Sequence, residues 1–185
     1  MNTRIMDADV QLLAGIAGTI ISDFPLNEEW VGSPFAWIKE RPSRQVGAIG
    51  EMLVAGWLAA KNFSVGPSPD SGADRVVNNH RVEVKLSTRW KSGVYKFQQL
   101  RDQRYDFAVC LGVCPFDAHC WAIPKSEILR RWKENDGIVS QHGGRSGVDT
   151  AWLSFRVDSP PGWLAEWGGS LQSAFGVIQR LVKKS

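Results

Sequence analysis

The sequence predicts a mixed α/β domain, because segments with helical and with strand periodicity alternate along it. Residues 43–62 carry apolar side chains at helical spacing, and residues 71–86 read as two short strands joined by a turn. Residues 105–113 (YDFAVCLGV) are almost all apolar and rich in strand-forming types, which is typical of a central buried strand. We place the core of the domain at about residues 43–125.

Length and composition indicate one globular domain over residues 1–185, with 43% hydrophobic and 22% charged residues. No apolar run approaches the roughly 18–20 residues that span a bilayer. Acidic residues, Asp7 and Asp9, precede the first apolar segment, so the start lacks the basic region of a secretory signal. We expect a cytoplasmic protein without a membrane association. An N-terminal helix over residues 7–24, a strand at 151–157 and a final helix at 171–184 elaborate the core.

Residues 76–86 show the pattern of a β-hairpin. The pair Asn78-Asn79 tolerates positive φ and suits a two-residue turn. In the second strand, Glu83 and Lys85 alternate with apolar residues, which gives the strand two unlike faces.

A turn at this place brings two carboxylates together. It puts Asp74 directly opposite Glu83, where Cβ atoms are roughly 4.5–5.5 Å apart, and Lys85 emerges on the same face. Like charges at that distance repel unless a cation lies between them, and oxygen ligands suit a hard divalent ion such as Mg²⁺. The hairpin therefore predicts a metal site. An exposed hairpin with a cross-strand Lys–Glu contact is the alternative.

A third carboxylate lies on the helix predicted over residues 43–62, for which Ser43 is the expected N-cap. The apolar stripe of this helix comprises Val46, Ile49, Leu53, Trp57 and Ala60. Glu51 does not lie opposite the stripe, and its helical neighbours are small or apolar. A carboxylate there is costly to bury unless it is paired or bound to a metal. The alternative is a border residue that reaches solvent.

Positive charge is concentrated directly after the carboxylates. Residues 81–104 hold seven Lys or Arg and two acidic residues, a net charge of +5, whereas the whole chain carries +3. A basic segment beside a carboxylate cluster indicates a polyanion brought to a metal, and a solvated charged face is the alternative. Within this segment, residues 95–104 are predicted to form a short helix or turn that carries Gln98 and Gln99.

The three cysteines, Cys110, Cys114 and Cys120, do not form a disulfide framework. Zinc ligation together with His119 is conceivable, but the C-x3-C-x5-C spacing matches no standard zinc knuckle. Buried apolar thiols in strands are the interpretation that we favour.

Four motifs in order resemble the PD-(D/E)xK nuclease superfamily, which includes type II restriction endonucleases, Holliday-junction resolvases and repair nucleases. They are GEMLVAGWL, SGADRVV, VEVKLS and KFQQLRDQRYDFAVCLGV, within roughly residues 43–125. The resemblance implies a restriction-endonuclease-like core, that is, a central mixed β-sheet flanked by helices.

The resemblance also implies roles for particular residues. Asp74, Glu83 and the backbone carbonyl of Val84 would hold the metal, and Lys85 would lie near the attacking water. Glu51 matches the helix glutamate that holds the metal or its water in many members. Gln98 or Gln99 would match a later glutamine that part of the superfamily carries.

The motif departs from the superfamily at one position. A proline is expected before the aspartate, but Ala73 precedes Asp74, and the literal Pro-Asp pair is Pro69-Asp70. We prefer Asp74 because the hairpin puts it across from Glu83.

These features together predict a Mg²⁺-dependent endonuclease, with Mn²⁺ able to substitute, that acts on double-stranded DNA as a type II restriction enzyme. A homodimer is expected, because each strand of the duplex needs one site. A structure-selective nuclease (a junction resolvase or repair nickase) and a nuclease-fold module that binds without cutting are the alternatives. The expected DNA contacts are Arg75, Arg89, Lys91, Lys96, Gln98, Gln99, Arg101, Arg104, and His142 and Arg145 in a loop at 137–149 that could equally be a plain surface loop.

Overall fold

The computed structural model describes residues 11–12, 14–16, 28–141 and 149–183. Contacts divide the chain into two compact units, Met1–Val31 and Gly32–Ser185. The single domain expected over residues 1–185 stays a prediction. Within the described ranges, no helix is both long enough and apolar enough to cross a membrane.

The first unit contains the predicted N-terminal helix. Its described residues, 11–12 and 14–16, are helical, in agreement with the prediction, and the rest of the 7–24 segment lies outside the described residues. A 3₁₀ turn follows at Glu28–Trp30.

The second unit is a mixed α/β fold, as predicted. Its described helices are α1 (Ala36–Lys39), α2 (Ser43–Ala60), α3 (Lys125–Glu134) and α4 (Leu171–Leu181), with a 3₁₀ turn at Gly162–Glu166. Its described strands are β1 (Val65–Pro67), β2 (Arg75–Val77), β3 (His80–Thr88), β4 (Val94–Leu100), β5 (Phe107–Val113), β6 (Ala118–Pro124), β7 (Ile138–Ser140), β8 (Ala151–Arg156) and β9 (Gly168–Ser170).

The central sheet has six strands in the order β1-β2-β3-β5-β6-β9. It is mixed, because β3 and β5 run parallel while the other neighbours are antiparallel. Helix α2 packs on β3, and α4 packs on β6 and β9, so helices flank the sheet. A second, antiparallel sheet has the order β4-β8-β7.

Strand β5 is the central buried strand that the apolar run predicts. All of its residues are buried, and it lies between β3 and β6. The cysteines that the sequence places on and near it, Cys110, Cys114 and Cys120, are free thiols with buried side chains, as the apolar interpretation expects.

The helix or turn predicted over residues 95–104 is wrong, because residues 94–100 form strand β4. The segment alternates buried and outward side chains: Tyr95 and Phe97 are fully buried, whereas Lys96 and Gln98 point away from that core. Period-2 alternation of aromatic and polar residues is a strand pattern, and aromatic residues favour strands. Gln98 and Gln99 therefore lie on β4, an edge strand of the second sheet.

The helix boundaries correct one further expectation. Ser43 is not the N-cap of α2; the N-cap is the preceding proline, Pro42, and no side chain caps the helix. The N-cap of α3 is likewise a proline, Pro124. Proline fits there because its fixed φ suits an extended residue that leads into a first turn.

A glycine sets how closely α2 approaches the sheet. A methyl group added at Gly50 would lie 2.6 Å from Leu86 Cβ on β3, closer than two carbon atoms approach without displacement. The buried face of α2 runs through Ile49, Gly50, Val54 and Leu58, and the predicted stripe is displaced from it by about one residue. Glu51 consequently lies at the edge of the buried face.

Candidate active site

A cleft of about 600 Å³ lies over one end of β3 in the second unit. Its floor is β3 at residues 84–88, one wall is the first half of α2, and the other wall carries Lys96, Gln98 and Gln99 of β4. A cavity of this size falls within the roughly 300–1,000 Å³ typical of ligand sites.

The predicted hairpin forms, and its register is as expected. Val77 pairs with His80 and Arg75 pairs with Val82, and the turn residues Asn78 and Asn79 have φ of 45° and 68°. Left-handed backbone at both central positions defines a type I′ turn.

The predicted pairing of Asp74 with Glu83 is wrong in detail, because the strand ladder ends one residue earlier, at Arg75. The Asp74 N–H donates to the carbonyl of Val82 at 3.0 Å, so Asp74 stays tied to β3 just beyond the end of the ladder. Its carboxylate instead accepts a hydrogen bond from the Val84 N–H at 2.7 Å.

Because the β2–β3 ladder ends before Val84, the edge of β3 faces the cleft at that residue. The N–H and C=O groups of one strand residue point to the same side, so the Val84 carbonyl faces the side on which the Asp74 carboxylate lies. Asp74, Val84 and Lys85 all line the cleft. Three of the predicted site residues are therefore brought together on its floor.

Glu83 lies below that floor. It is 5% exposed, and its Oε1 is 2.6 Å from Lys85 Nζ. Burial raises the pKa of the Glu83 carboxyl, and the Lys85 ammonium opposes that rise. The pair thus keeps a charged carboxylate in a place that otherwise disfavours it.

Glu51 reaches the cleft from the α2 wall, where its side chain is 28% exposed and lies 3.2 Å from the Arg75 guanidinium. Burial raises its pKa most, the negative charge of Asp74 raises it further, and Arg75 opposes both. Glu83 also contributes to the rise. The three carboxylates are therefore close enough to repel one another.

The donor set suits a hard divalent cation in its chemistry, since it consists of carboxylate oxygens and a backbone carbonyl edge. In the part of the chain that the structure describes, no three His, Cys, Asp or Glu side chains are gathered closely enough to hold a metal ion. Two of the carboxylates form ion pairs with basic side chains: Glu51 pairs with Arg75, and Glu83 pairs with Lys85. Each carboxylate has two oxygens, so a cation bound by the full set would share Glu51 with Arg75 and Glu83 with Lys85.

Asp70, the aspartate of the literal Pro-Asp pair, has other partners. It is paired with Arg81 and with Arg104, the latter at 3.3 Å, and it accepts a hydrogen bond from Gly72 N–H at 2.8 Å. The hydrogen bond from Arg81 is the main cause that lowers its pKa. It does not line the cleft, whereas Asp74 does.

The candidate DNA contacts divide into groups. Lys96, Gln98 and Gln99 line the cleft. The bulge in β4 between Phe97 and Leu100, with Gln99 at φ 58°, turns both glutamines outward. Arg75 is paired with Glu51. The remaining described candidates, which are not among the residues lining the cleft, are Arg89, Lys91, Arg101 and Arg104. His142 and Arg145 lie outside the described residues.

Sequence reasoning missed two cations of the cleft. Arg41 and Arg44 flank the start of α2 and line the wall beside Glu51. The signal was present, because both arginines stand at the positive end of a helix whose first turn holds no acidic residue. The two arginines and the positive end of the helix repel one another, and a bound anion such as a phosphate would relieve this repulsion.

Similarity to known proteins is found among solved structures. No family model matches the chain, and no curated protein matches it. The chain is similar in structure to the bacterial homing endonuclease I-Ssp6803I, with 15% sequence identity and a TM-score of 0.48 over 75% of this chain and 92% of that one.

Proposed function

We propose that this chain is a metal-dependent DNA endonuclease that hydrolyses phosphodiester bonds, acting on double-stranded DNA as a type II restriction enzyme. The observation that carries the proposal is the cleft, whose floor combines Asp74, the Val84 backbone edge and Lys85. Its walls add Arg44 and Lys96. A groove lined by both carboxylates and cations suits a phosphate that is bound by the cations and attacked above the carboxylates.

Asp74, Glu83, the Val84 carbonyl and Glu51 are the groups that would hold Mg²⁺, and Mn²⁺ could replace it. When bound, such an ion lowers the pKa of water and offsets charge on the leaving oxygen. The Asp74 carboxylate already lies against the Val84 backbone, at 2.7 Å from its N–H. This hydrogen bond would hold one proposed ligand in place on the cleft floor.

Lys85 is proposed to act on the reacting groups directly. Its Nζ would hold the attacking water and stabilise the negative charge that develops on the phosphoryl oxygens. The Glu83 carboxylate, 2.6 Å away, orients this ammonium within the floor. Both charges are needed, because either one alone would be buried without a partner.

The assembly and location remain part of the proposal. A homodimer would place one cleft on each strand of a duplex, and the expected compartment is the cytoplasm. The cationic residues of the walls would contact phosphates, which makes binding dependent on salt.

The test is cleavage of a supercoiled plasmid by the purified chain with Mg²⁺, with Mn²⁺, or with EDTA. We expect nicking or cutting with either metal and none with EDTA. Lys85→Ala should abolish cleavage while DNA binding persists, whereas Lys133→Ala, at an exposed lysine of α3, should behave as the wild type.

Full cleavage activity of Lys85→Ala, or cleavage in EDTA, would refute the proposed mechanism. Discrete bands on a diverse DNA would support the restriction enzyme, and cleavage confined to four-way junctions would replace it with a resolvase. If the wild type binds DNA tightly but does not cleave it, the proposal of an endonuclease is refuted, and the chain is a DNA-binding module.

A further inference from the structure

An exposed tryptophan stands at the rim of the cleft. Trp90 is 51% exposed and lines the cleft from the turn between β3 and β4. The turn is tight, because Trp90 N–H donates to the Val94 carbonyl and Gly93 N–H donates to the Trp90 carbonyl, each at 2.9 Å. Gly93 adopts φ of 76°, which a residue with a side chain rarely does.

The turn is also held from both sides. The carbonyl of Gly93 accepts from Val157 N–H at 2.9 Å, and that of Ser92 accepts from the Arg156 guanidinium at 3.2 Å. On the other side, Lys39 Nζ donates to the Arg89 carbonyl at 3.3 Å. The backbone that carries Trp90 is therefore ordered before any ligand binds, which lowers the entropic cost of a contact.

A positive charge lies over the ring of the exposed indole. Lys96 Nζ is 3.4 Å from the centre of the Trp152 ring and 5.5 Å from that of Trp90. Such cation–π contacts hold an ammonium in position. The rim of the cleft thus presents a half-exposed indole with a cation placed over one of its faces.

This pair matches the chemistry of a nucleotide outside a helical stack. Proteins that bind unstacked bases use an aromatic ring for the base and a nearby cation for the backbone. A base within a duplex has both faces covered by its neighbours, so it cannot stack on a protein ring. The cleft, at about 600 Å³, has the size of a site for a small ligand such as a nucleotide.

We propose that the cleft binds DNA with one nucleotide displaced from the helical stack, its base lying on Trp90 and its phosphate against Lys96. This inference rests on the proposed function only in taking DNA as the ligand; it does not require cleavage. It narrows the substrate to DNA with an unpaired nucleotide, or with one that the protein itself flips out, beside the scissile phosphate.

The test compares two short duplexes of the same sequence, one fully paired and one with a single bulged nucleotide, in EDTA so that no cleavage occurs. 2-Aminopurine at the bulged position reports stacking by its fluorescence. We expect the full-length wild type to bind the bulged duplex roughly 5- to 150-fold more tightly, the factor that one base–aromatic stack contributes, and to quench the 2-aminopurine.

Trp90→Ala should bind both duplexes equally and leave the 2-aminopurine unquenched. Trp90→Phe, which keeps a ring, should retain part of the preference, and Trp90→Leu, which keeps only apolar bulk, should lose it. Trp37→Ala is the matched control, because Trp37 is 47% exposed but is not among the residues lining the cleft; it should behave as the wild type.

Equal affinity of the wild type for both duplexes, or an undiminished preference in Trp90→Ala and Trp90→Leu, would overturn the inference. Plasmid cleavage without a preference for the bulge would overturn this inference alone. A preference for the bulge without cleavage under any metal would overturn the proposed function alone.

Discussion

Replacing Lys85 by alanine should lower the free energy of unfolding, because it leaves the buried Glu83 carboxylate without its partner. The two charged groups are 2.6 Å apart, and Glu83 is 5% exposed. Breaking a buried ion pair costs roughly 3–5 kcal/mol. The Lys85 side chain is 18% exposed, so solvent weakens the pair, and we expect a loss of about 3 kcal/mol at neutral pH.

The loss should depend on pH with a definite sign. Burial raises the pKa of Glu83 above its value in the unfolded chain, and Lys85 opposes this, so the pKa in Lys85→Ala rises further. A carboxyl with a raised pKa binds its proton more readily in the folded state, so stability falls as pH rises through that pKa. The deficit of Lys85→Ala should therefore shrink when the pH is lowered from neutral to about 5.

The assay is urea unfolding in EDTA, followed by tryptophan fluorescence at both pH values. The control combines Lys85→Met with Glu83→Gln, which removes both charges while keeping volume, and should recover most of the stability. A loss below about 1 kcal/mol at neutral pH, or a deficit that does not change with pH, would show that the pair is not buried as described and would refute the reasoning.

Three further variant pairs test separate parts of the fold and cleft. In the same urea titration, Gly50→Ala should lower stability by about 1 kcal/mol, because overpacking against Leu86 exceeds the gain in helix propensity. A methyl group at Gly56 would meet no atom within 4 Å, so Gly56→Ala should raise stability by about 0.5–1 kcal/mol. Ser170→Ala should cost about 1 kcal/mol, because Ser170 caps α4, and Ser43→Ala, which caps nothing, should cost far less. Arg44→Ala should weaken DNA binding for all sequences alike and reduce the salt slope by about 1 in fluorescence anisotropy, whereas Lys133→Ala should leave both unchanged.

The sequence predicted the parts of the fold that depend on local pattern. The Asn78-Asn79 pair determined the turn and its register, because few residue types tolerate positive φ at both positions. The apolar run over residues 107–113 predicted the central strand, because only a strand covered on both faces carries such a run.

Two predictions are wrong for different reasons. The helix or turn predicted over residues 95–104 overlooks a local pattern, because Tyr95 and Phe97 alternate with polar residues as in a strand. The pairing of Asp74 with Glu83 failed because the Asp74 carboxylate forms a hydrogen bond with the β3 backbone, which a register alone does not reveal. The burial of Glu83 depends on the packing of several elements around it.

The two-residue turn at Asn78-Asn79 has a consequence for how this chain tolerates insertions. Lys85 is positioned by the parallel pairing of β3 with β5, where it lies opposite Cys110, whereas Asp74 is carried by the short strand β2. The length of the turn sets the register of β2 against β3, and with it the offset between these two parts of the site. One inserted residue would slide Asp74 along β3 and reverse the side on which it emerges. A relative of this chain with a longer turn would therefore need its aspartate at a different distance from the E-x-K strand, even if every residue of the cleft were otherwise retained.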